Sequence, residues 1–124
     1  MTRLPEKFRE RTKRYAAALI RLFGKLPKEP EEARFLARQL LRTATSVAAH
    51  VRDASRARSD AEFASQIGAA LQEADKSVLS LELLREECSV QATLTQPLEK
   101  ESVELIAIFT AMINRTLPTP KSEA

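Results

Sequence analysis

Hydrophobic residues recur along most of the chain at steps of three and four positions, the spacing that places side chains on one face of an α-helix. Three short breaks divide this pattern into four segments. The first segment runs from about Pro5 to Gly24, and the second opens at Pro30. The third follows Ser59, and the fourth has Pro97 near its start. Because proline suits the first turn of a helix and glycine its end, the pattern predicts four helices.

Signals for β-strands are missing from the same chain. No run alternates Val, Ile or Thr with polar residues, and no Asn-Gly or Asp-Gly pair marks a hairpin turn. A chain of 124 residues fits one domain. Helices of about 20 to 28 residues are about 30 to 42 Å long, which suits side-by-side packing with short links. The sequence therefore predicts an all-α protein, an antiparallel up-down four-helix bundle over residues 1–117 with a flexible tail at 118–124.

The second break lacks the glycine or proline that usually ends a helix. Residues 59–62 read SDAE, which has the form of a capping box. In that motif the Ser59 hydroxyl accepts from the amide three residues on, and Glu62 reaches back to the Ser59 amide. The turn is therefore expected just before Ser59, set by a start signal. A charge network with a structural or assembly role is expected around it, among Arg52, Asp53, Arg56, Arg58 and Glu62.

Some hydrophobic residues exceed what one bundle core needs. Leu79 and Leu83 lie off the main stripe of the third helix, and Leu41 lies off that of the second. The fourth helix is hydrophobic over more than about 150 degrees of its circumference, wider than a single stripe. Because every helix of a four-helix bundle is normally peripheral, such a helix is expected to be buried against a second subunit. The three leucines are therefore candidate contacts of a homo-oligomer.

A line of hydrogen-bonding side chains runs beside the hydrophobic stripe of the second helix. Such side chains tolerate partial burial when they are paired, whereas Glu and Lys dominate a merely solvated face. This polar line comprises Gln39, Arg42, Thr43, Ser46, His50 and Asp53. Its serine, histidine and aspartate are the residue types of a hydrolytic triad, but they run roughly parallel on one helix, where no backbone amide is free for an oxyanion hole. We expect a hydrogen-bonded helix contact and no catalytic residue.

Charge is distributed unevenly along the chain. Residues 1–28 hold nine Lys or Arg against two Glu, whereas residues 61–124 hold five against ten acidic residues. A basic first helix could attract phosphate backbones by releasing counterions, or it could pair with the acidic half of this chain or of another subunit. The candidate nucleic-acid contacts are Arg9, Lys13, Arg14, Arg21, Arg34, Arg38 and Arg42.

Neither a metal nor a cofactor is expected. The only histidine, His50, and the only cysteine, Cys88, lie far apart, and no carboxylate–histidine spacing typical of di-iron bundles accompanies them. Glu86 and Glu87 disfavour a thiolate at Cys88, and the glycine motifs that bind phosphates, GxGxxG and GxxxxGK[ST], are absent. A single cysteine suits a reducing compartment, and no segment resembles a signal peptide or a membrane span. A cytoplasmic protein without a membrane partner is expected.

Four motifs together resemble a known family. They are the LPK link, QLLRTATSVAA, the turn RDASRARSDAEF and EADKSVLSLELL, and they span about Lys25 to Leu84. With these motifs the chain resembles the bacterial four-helix-bundle family related to proteins encoded in ribosomal-RNA intervening sequences. It is more distantly similar to the accessory protein of diversity-generating retroelements. The resemblance implies a homo-oligomer, typically a pentameric ring, without established catalytic residues, and for the retroelement relative a basic surface that binds nucleic acid and a reverse transcriptase.

The chain departs from the family pattern at His50, where the family usually has Asn, and at Asp53 and Lys76, where it usually has Glu. A titratable ring in place of an amide could make assembly sensitive to pH. Two functions stay open. The first is a non-enzymatic, self-assembling scaffold or interaction module, whose partners are copies of itself or another protein. The alternative is an accessory protein that binds RNA or DNA through its basic first helix.

Overall fold

The computed structural model describes residues 2–118 and contains four α-helices joined by three short links. The helices are α1 (Glu6–Lys25), α2 (Glu31–Ser55), α3 (Asp60–Glu87) and α4 (Ala92–Thr116). The prolines before α1 and α2 have extended backbone and form the caps of these helices, where a missing N–H costs nothing. The predicted all-α four-helix bundle is confirmed. Of the predicted tail at 118–124, all but residue 118 lies outside the described residues.

Neighbouring helices run in opposite directions. His50 of α2 hydrogen-bonds Gln66 of α3, while the earlier Thr43 hydrogen-bonds the later Ser77, so one helix ascends as the other descends. The pairs α1–α2 and α3–α4 show the same opposed order of contacts. The α1–α4 side has the sparsest packing of the four sides of the bundle. An up-down order of the four helices follows.

The core is filled by large side chains from all four helices. Phe8 packs edge-on against Phe109, with ring centroids 5.9 Å apart and planes at 88°, a favourable arrangement of aromatic rings. The largest fully buried hydrophobic side chains are Leu19, Leu40, Val47, Val51, Ile67, Leu81, Leu84, Leu105 and Phe109. No helix within residues 2–118 has both the length and the hydrophobicity needed to cross a bilayer.

The start of α3 follows the predicted capping box in one half only. The Ser59 hydroxyl accepts from the Glu62 amide at 3.1 Å, as expected. The Glu62 carboxylate, however, accepts from the Arg58 amide at 3.3 Å and does not return to Ser59. The Arg58 guanidinium lies 3.9 Å from the same carboxylate. The turn still falls at 56–59, so the predicted position of the break is confirmed.

The start of α4 lies earlier than its proline suggested. The helix begins at Ala92, and Pro97 lies inside it, in the second turn. A proline there removes one backbone hydrogen bond, to the carbonyl four residues earlier, and leaves the following turns intact. The Leu94 amide donates to the Gln91 carbonyl at 3.0 Å, which closes the first turn before the proline is reached. The expectation that α4 begins near Pro97 was therefore late by about one turn.

Candidate functional site

An apolar groove lies between the first half of α2 and the second half of α3. Phe35 and Leu79 leave 54% and 57% of their surfaces exposed, and both are large hydrophobic side chains. The groove has a volume of about 330 Å³. It is lined by Phe35, Leu36, Gln39, Lys76, Leu79, Ser80 and Leu83, and we call it the α2–α3 groove.

The α3 side of this groove follows from helical geometry. Lys76, Leu79, Ser80 and Leu83 stand at i, i+3, i+4 and i+7, so they share one face. Leu81 is fully buried on the face that meets the core, and the groove face is turned away from it. Sequence reasoning singled out both groove leucines of α3.

Two further expectations about excess hydrophobic residues are altered by the structure. Leu41 is half-buried but does not line the groove. On α4, the partly buried Ile106, Ile108 and Ile113 pack against the core. Val103 is a large hydrophobic side chain of the same helix that is left 55% exposed. Most of the hydrophobic surface of α4 is thus covered within the same chain, because α4 packs extensively against α3.

Phe35 is the groove residue that sequence reasoning missed. It is adjacent to Leu36, which belongs to the core stripe of α2 and packs against the core. Neighbouring side chains on a helix point about 100 degrees apart, so Leu36 packs against the core while Phe35 points away from it. That adjacency was the available signal.

The polar line of α2 does not converge on one site. Ser46 Oγ donates to the Arg42 carbonyl of its own helix at 3.1 Å. His50 Nδ1 lies 2.9 Å from Gln66 Oε1 on α3, while Asp53 is exposed. Within residues 2–118, none of these three side chains is hydrogen-bonded to another. Gln39 lines the groove, which connects the polar line with the apolar surface at one end.

Thr43 of the polar line belongs to a buried cluster of four hydroxyl groups, one from each helix. Tyr15 Oη and Ser102 Oγ lie 2.6 Å apart, and Thr43 Oγ1 and Ser77 Oγ lie 2.7 Å apart. The four residues, which we call the hydroxyl cluster, are at most 2% exposed. Burial raises the pKa of Tyr15, and interactions with Ser102 and Ser77 oppose that rise. Sequence reasoning missed both serines, although serines among buried apolar positions of α3 and α4 were a visible signal.

Two arginines bind carboxylates of α4 through paired hydrogen bonds. Arg11 donates to both carboxylate oxygens of Glu101, at 2.9 and 2.8 Å, and also reaches Glu104 at 3.1 Å. Arg85 holds Glu99 in the same way, at 3.0 and 2.8 Å. These bonds lower the pKa of Glu101 and of Glu99. Pairing between the basic first helix and the acidic half of the chain therefore does occur, but through Arg11, which was not among the candidates.

The charge network expected at the second turn is small within one chain. Arg58 lies 3.9 Å from Glu62, and its side chain is 92% exposed. The remaining three candidates, Arg52, Asp53 and Arg56, are exposed, and none is ion-paired within residues 2–118. Long charged side chains at an exposed turn gain little from pairing, because water screens the attraction and fixing them costs entropy. Their role in assembly stays a prediction.

The candidate nucleic-acid contacts fall on two different sides of α1. Arg9 and Lys13 lie with Arg52 on the α2 side. Arg21 lies beside the start of α4, and the charge of Arg14 acts on Glu101 of the same helix.

The candidates on α2 have partners of their own. The Arg34 guanidinium lies 4.4 Å above the Phe23 ring, and Arg38 is 3.5 Å from Glu31. Arg42 is exposed and offers its carbonyl to Ser46. The basic candidates therefore do not form one continuous surface.

Cys88 ends α3 as a half-buried free thiol. Burial raises its pKa most, and the charges of Glu32 and Glu87 raise it further, so the thiol form is favoured as expected. Glu32, in the first turn of α2, lies near Cys88 at the same end of the bundle, and the sequence did not indicate this proximity. Within residues 2–118, no three His, Cys, Asp or Glu side chains converge so that they could hold a metal ion.

Comparisons with known proteins agree with this architecture. The model of the 23S rRNA-intervening sequence protein family matches residues 7–111. The fold is similar to a protein of unknown function from the S23 ribosomal protein family of Bacteroides thetaiotaomicron, with a TM-score of 0.74 and 24% identity over 86% of this chain and 94% of that chain. At this identity the likeness concerns the fold alone. No curated protein matches the chain significantly. The likeness to the retroelement accessory protein stays a prediction.

Proposed function

The chain belongs to the 23S rRNA-intervening sequence protein family, and we propose that it is a non-enzymatic scaffold or interaction module whose copies assemble through the α2–α3 groove. The observation that supports this proposal is the pair of large side chains, Phe35 and Leu79, left more than half exposed on facing helices. A closed pentameric ring is the assembly expected from the family resemblance.

The composition of the groove favours a protein partner. Its apolar floor is rimmed by Gln39 and Lys76, and apolar patches with polar rims are typical of protein interfaces. Covering exposed apolar surface gains about 25 cal/mol per Å², and Phe and Leu are the side chains that gain most. In a closed ring the groove of one copy meets a different surface of the next copy, and Val103 on α4 is another large hydrophobic residue of comparable exposure, at 55%.

A catalytic role has no support from the contacts of the polar line. The Ser46 hydroxyl is used by a carbonyl of its own helix, and the His50 ring is held by Gln66. A nucleophile needs a base within hydrogen-bond reach, and the base needs a group that orients it. These side chains act instead as contacts within and between helices.

Light scattering coupled to size-exclusion chromatography tests the proposal. At micromolar concentration we expect a mass that is a multiple of one chain. Leu79→Asp is expected to reduce it to one chain, because burying a carboxylate without a partner is costly. Ile20→Asp is the matched control, since Ile20 on α1 is 45% exposed and lies outside the groove. A wild-type monomer, or equal effects of the two substitutions, would overturn the proposed groove assembly.

Nucleic-acid binding is the second candidate function. It is favoured by Lys13, Arg14 and Arg21, which are exposed and ion-paired with no carboxylate within residues 2–118. Such unpaired cations release counterions when they neutralise phosphates. Retention on generic RNA or DNA should then fall steeply between about 50 and 200 mM salt. Absence of retention at low salt would remove this candidate.

A further inference from the structure

A pocket open to solvent lies between the end of α1 and the start of α4. The four helices contact one another as the sides of a square, so this side of the bundle is opposite to the α2–α3 groove. It is also the side with the sparsest packing, and the pocket has a volume of about 290 Å³. We call it the α1–α4 pocket, and its apolar lining comprises Ala18, Leu22, Leu94, Pro97 and Leu98.

Two cations also line this pocket. Arg21 and Lys25 lie one helical turn apart at the end of α1, and both are exposed. Within residues 2–118, neither is in an ion pair with a carboxylate, whereas Arg11, earlier on the same helix, binds Glu101. A surface that covers the pocket therefore needs a hydrophobic side chain for the apolar lining and negative charge beside it for the cations.

The start of α2 carries that combination. Phe35 is 54% exposed. Glu31 and Glu32 precede it by four and three residues, which places both about one helical turn away on the same side of α2. Both carboxylates are exposed, and Glu31 contacts Arg38 of its own helix at 3.5 Å, a pair that is open to water and therefore weak. Phe35 with its two carboxylates, which we call the acidic knob, thus matches the α1–α4 pocket in hydrophobicity and in charge.

The two surfaces also lie at the same height along the bundle. The end of α1 and the start of α2 are at one end of the bundle, together with the end of α3 and the start of α4. At a rise of about 1.5 Å per residue, Phe35 lies about 6 Å from this end, and the residues that line the pocket lie within about 10 Å of it. Two copies that stand side by side and point in the same direction therefore bring the knob of one to the pocket of the next.

We propose that the α1–α4 pocket receives Phe35 of a second copy of this chain, with Arg21 and Lys25 set against Glu31 and Glu32 of that copy. An apolar cavity of about 150 Å³ holds a benzene molecule, so a volume of about 290 Å³ is large enough for the phenyl ring. Because the two surfaces differ, the contact repeats from copy to copy and gives a ring when its rotation closes. This inference rests on the proposed assembly through the α2–α3 groove, to which Phe35 belongs, and adds the surface that the groove meets.

Charge reversal tests the pairing. Arg21→Glu/Lys25→Glu, the pocket variant, is expected to raise the concentration at which the assembly dissociates by at least about tenfold, because like charges then face each other. Adding Glu31→Arg/Glu32→Arg to the same chain exchanges the two charges, and dissociation is expected to return to within about threefold of the wild type. Light scattering coupled to size-exclusion chromatography at several protein concentrations measures both. All four sites are exposed, so folding is expected to survive, and circular dichroism checks it.

The control variant is Lys13→Glu/Arg52→Glu. It changes the charge by the same amount at two exposed cations outside the α1–α4 pocket, and its assembly is expected to dissociate as the wild type does. The inference is wrong if the pocket variant dissociates like the wild type, if the exchange of charges does not restore assembly, or if the control weakens assembly as much as the pocket variant does.

A mixture of two damaged chains tests whether unlike surfaces meet. Phe35→Asp removes the knob and keeps the pocket, whereas the pocket variant keeps the knob. Each alone is expected as single chains, and an equimolar mixture at about 100 µM should give a mass of two chains, because one intact contact remains. A mixture that stays as single chains, or that regains the wild-type mass, contradicts this order. A wild type of one chain overturns the proposed assembly itself, whereas dissociation by Leu79→Asp beside an intact pocket variant overturns this pairing alone.

Discussion

The hydroxyl cluster and the α2–α3 groove both break the rule that hydrophobic side chains are buried and polar ones exposed, but in opposite directions. In the cluster, four hydroxyl groups at most 2% exposed find partners on neighbouring helices. In the groove, Phe35 and Leu79 leave over half of their surfaces exposed, at 54% and 57%. The buried polar groups are satisfied within one chain, whereas the exposed apolar groups are not. On α2 and α3, therefore, the positions that pair within one chain are separate from those left for the proposed assembly.

The hydroxyl cluster also limits how the helices can slide. Tyr15 bonds Ser102 across the α1–α4 side, and Thr43 bonds Ser77 across the α2–α3 side. A shift of either pair by one residue would leave buried hydroxyl groups without these partners, at about 1–3 kcal/mol for each unpaired group. Leucine and alanine positions would tolerate such a shift more easily. The cluster therefore fixes helix register, which a uniformly apolar core would leave less defined.

The largest effect is expected when the same substitution is made on the buried and on the exposed face of α3. Leu81 is fully buried and Leu79 is 57% exposed. Leu81→Ala should lower the free energy of unfolding by about 2–5 kcal/mol, because it removes buried methyl groups from the core and leaves a cavity. Leu79→Ala should cost less than about 0.5 kcal/mol in the dissociated chain, as surface substitutions usually do. Urea unfolding at low protein concentration measures both values.

The same pair of variants sharpens the comparison when protein concentration is raised. If a second copy covers the groove, the unfolding midpoint of the wild type rises with concentration, and Leu79→Ala reduces that rise. Leu81→Ala should lower the midpoint equally at every concentration. A large cost of Leu79→Ala in the dissociated chain would show that the groove belongs to the core and would erase the contrast between the two regions.

A smaller effect is expected when the hydroxyl cluster is edited one group at a time. Tyr15→Phe and Ser102→Ala should each lower the free energy of unfolding by about 1–2 kcal/mol, since each removes one partner of a buried hydrogen bond. The double variant should cost less than the sum, by about 0.5 kcal/mol or more, because the two residues share one bond. Chemical denaturation of the four proteins gives this coupling. Strictly additive costs would mean that the 2.6 Å contact contributes no coupling energy.

The ion pair that joins α1 to α4 should give a still smaller, pH-dependent effect. Arg11 lowers the pKa of Glu101 in the folded chain, so the unfolded chain binds more protons as the pH falls. The stabilisation is therefore complete above the ordinary pKa of glutamate and is lost progressively below it. We expect Glu101→Gln to cost less than about 1 kcal/mol at neutral pH and to flatten the acid limb of the stability profile. Glu104→Gln, whose side chain is 50% exposed, should leave that limb nearly unchanged.

The sequence predicted those parts of the structure that depend on a single helix, and it missed most of those that depend on two. The spacing of Leu19, Leu40 and Leu81 requires only helical periodicity, and all three are fully buried. The Ser59 cap is a local contact and was likewise found. The partnership of Tyr15 with a serine 87 positions away depends on helix register, which no local pattern encodes.

The candidate sites show the same limit. Leu79 was identified because it lies off its own helical stripe, but Phe35, its neighbour across the groove, was not. Arg9 and Lys13 were assigned to one role and Arg52 to another, although the three line one pocket. The grouping follows from the antiparallel contact of α1 with α2. Residue types on one helix face can be read from sequence, whereas the surface they form with the next helix requires the relative rotation of both.

A modest effect is expected at His50, which is half-buried on α2. Its Nδ1 faces Gln66 Oε1 at 2.9 Å, and an amide oxygen only accepts, so the ring must donate. His50→Ala and Gln66→Ala should each cost about 0.5–1 kcal/mol, because each removes one partner of this bond. Ser46→Ala, which loses a bond to its own helix, should cost less. Thermal unfolding compares the three variants, and a cost of His50→Ala no larger than that of Ser46→Ala would mean that this hydrogen bond does not hold α2 against α3.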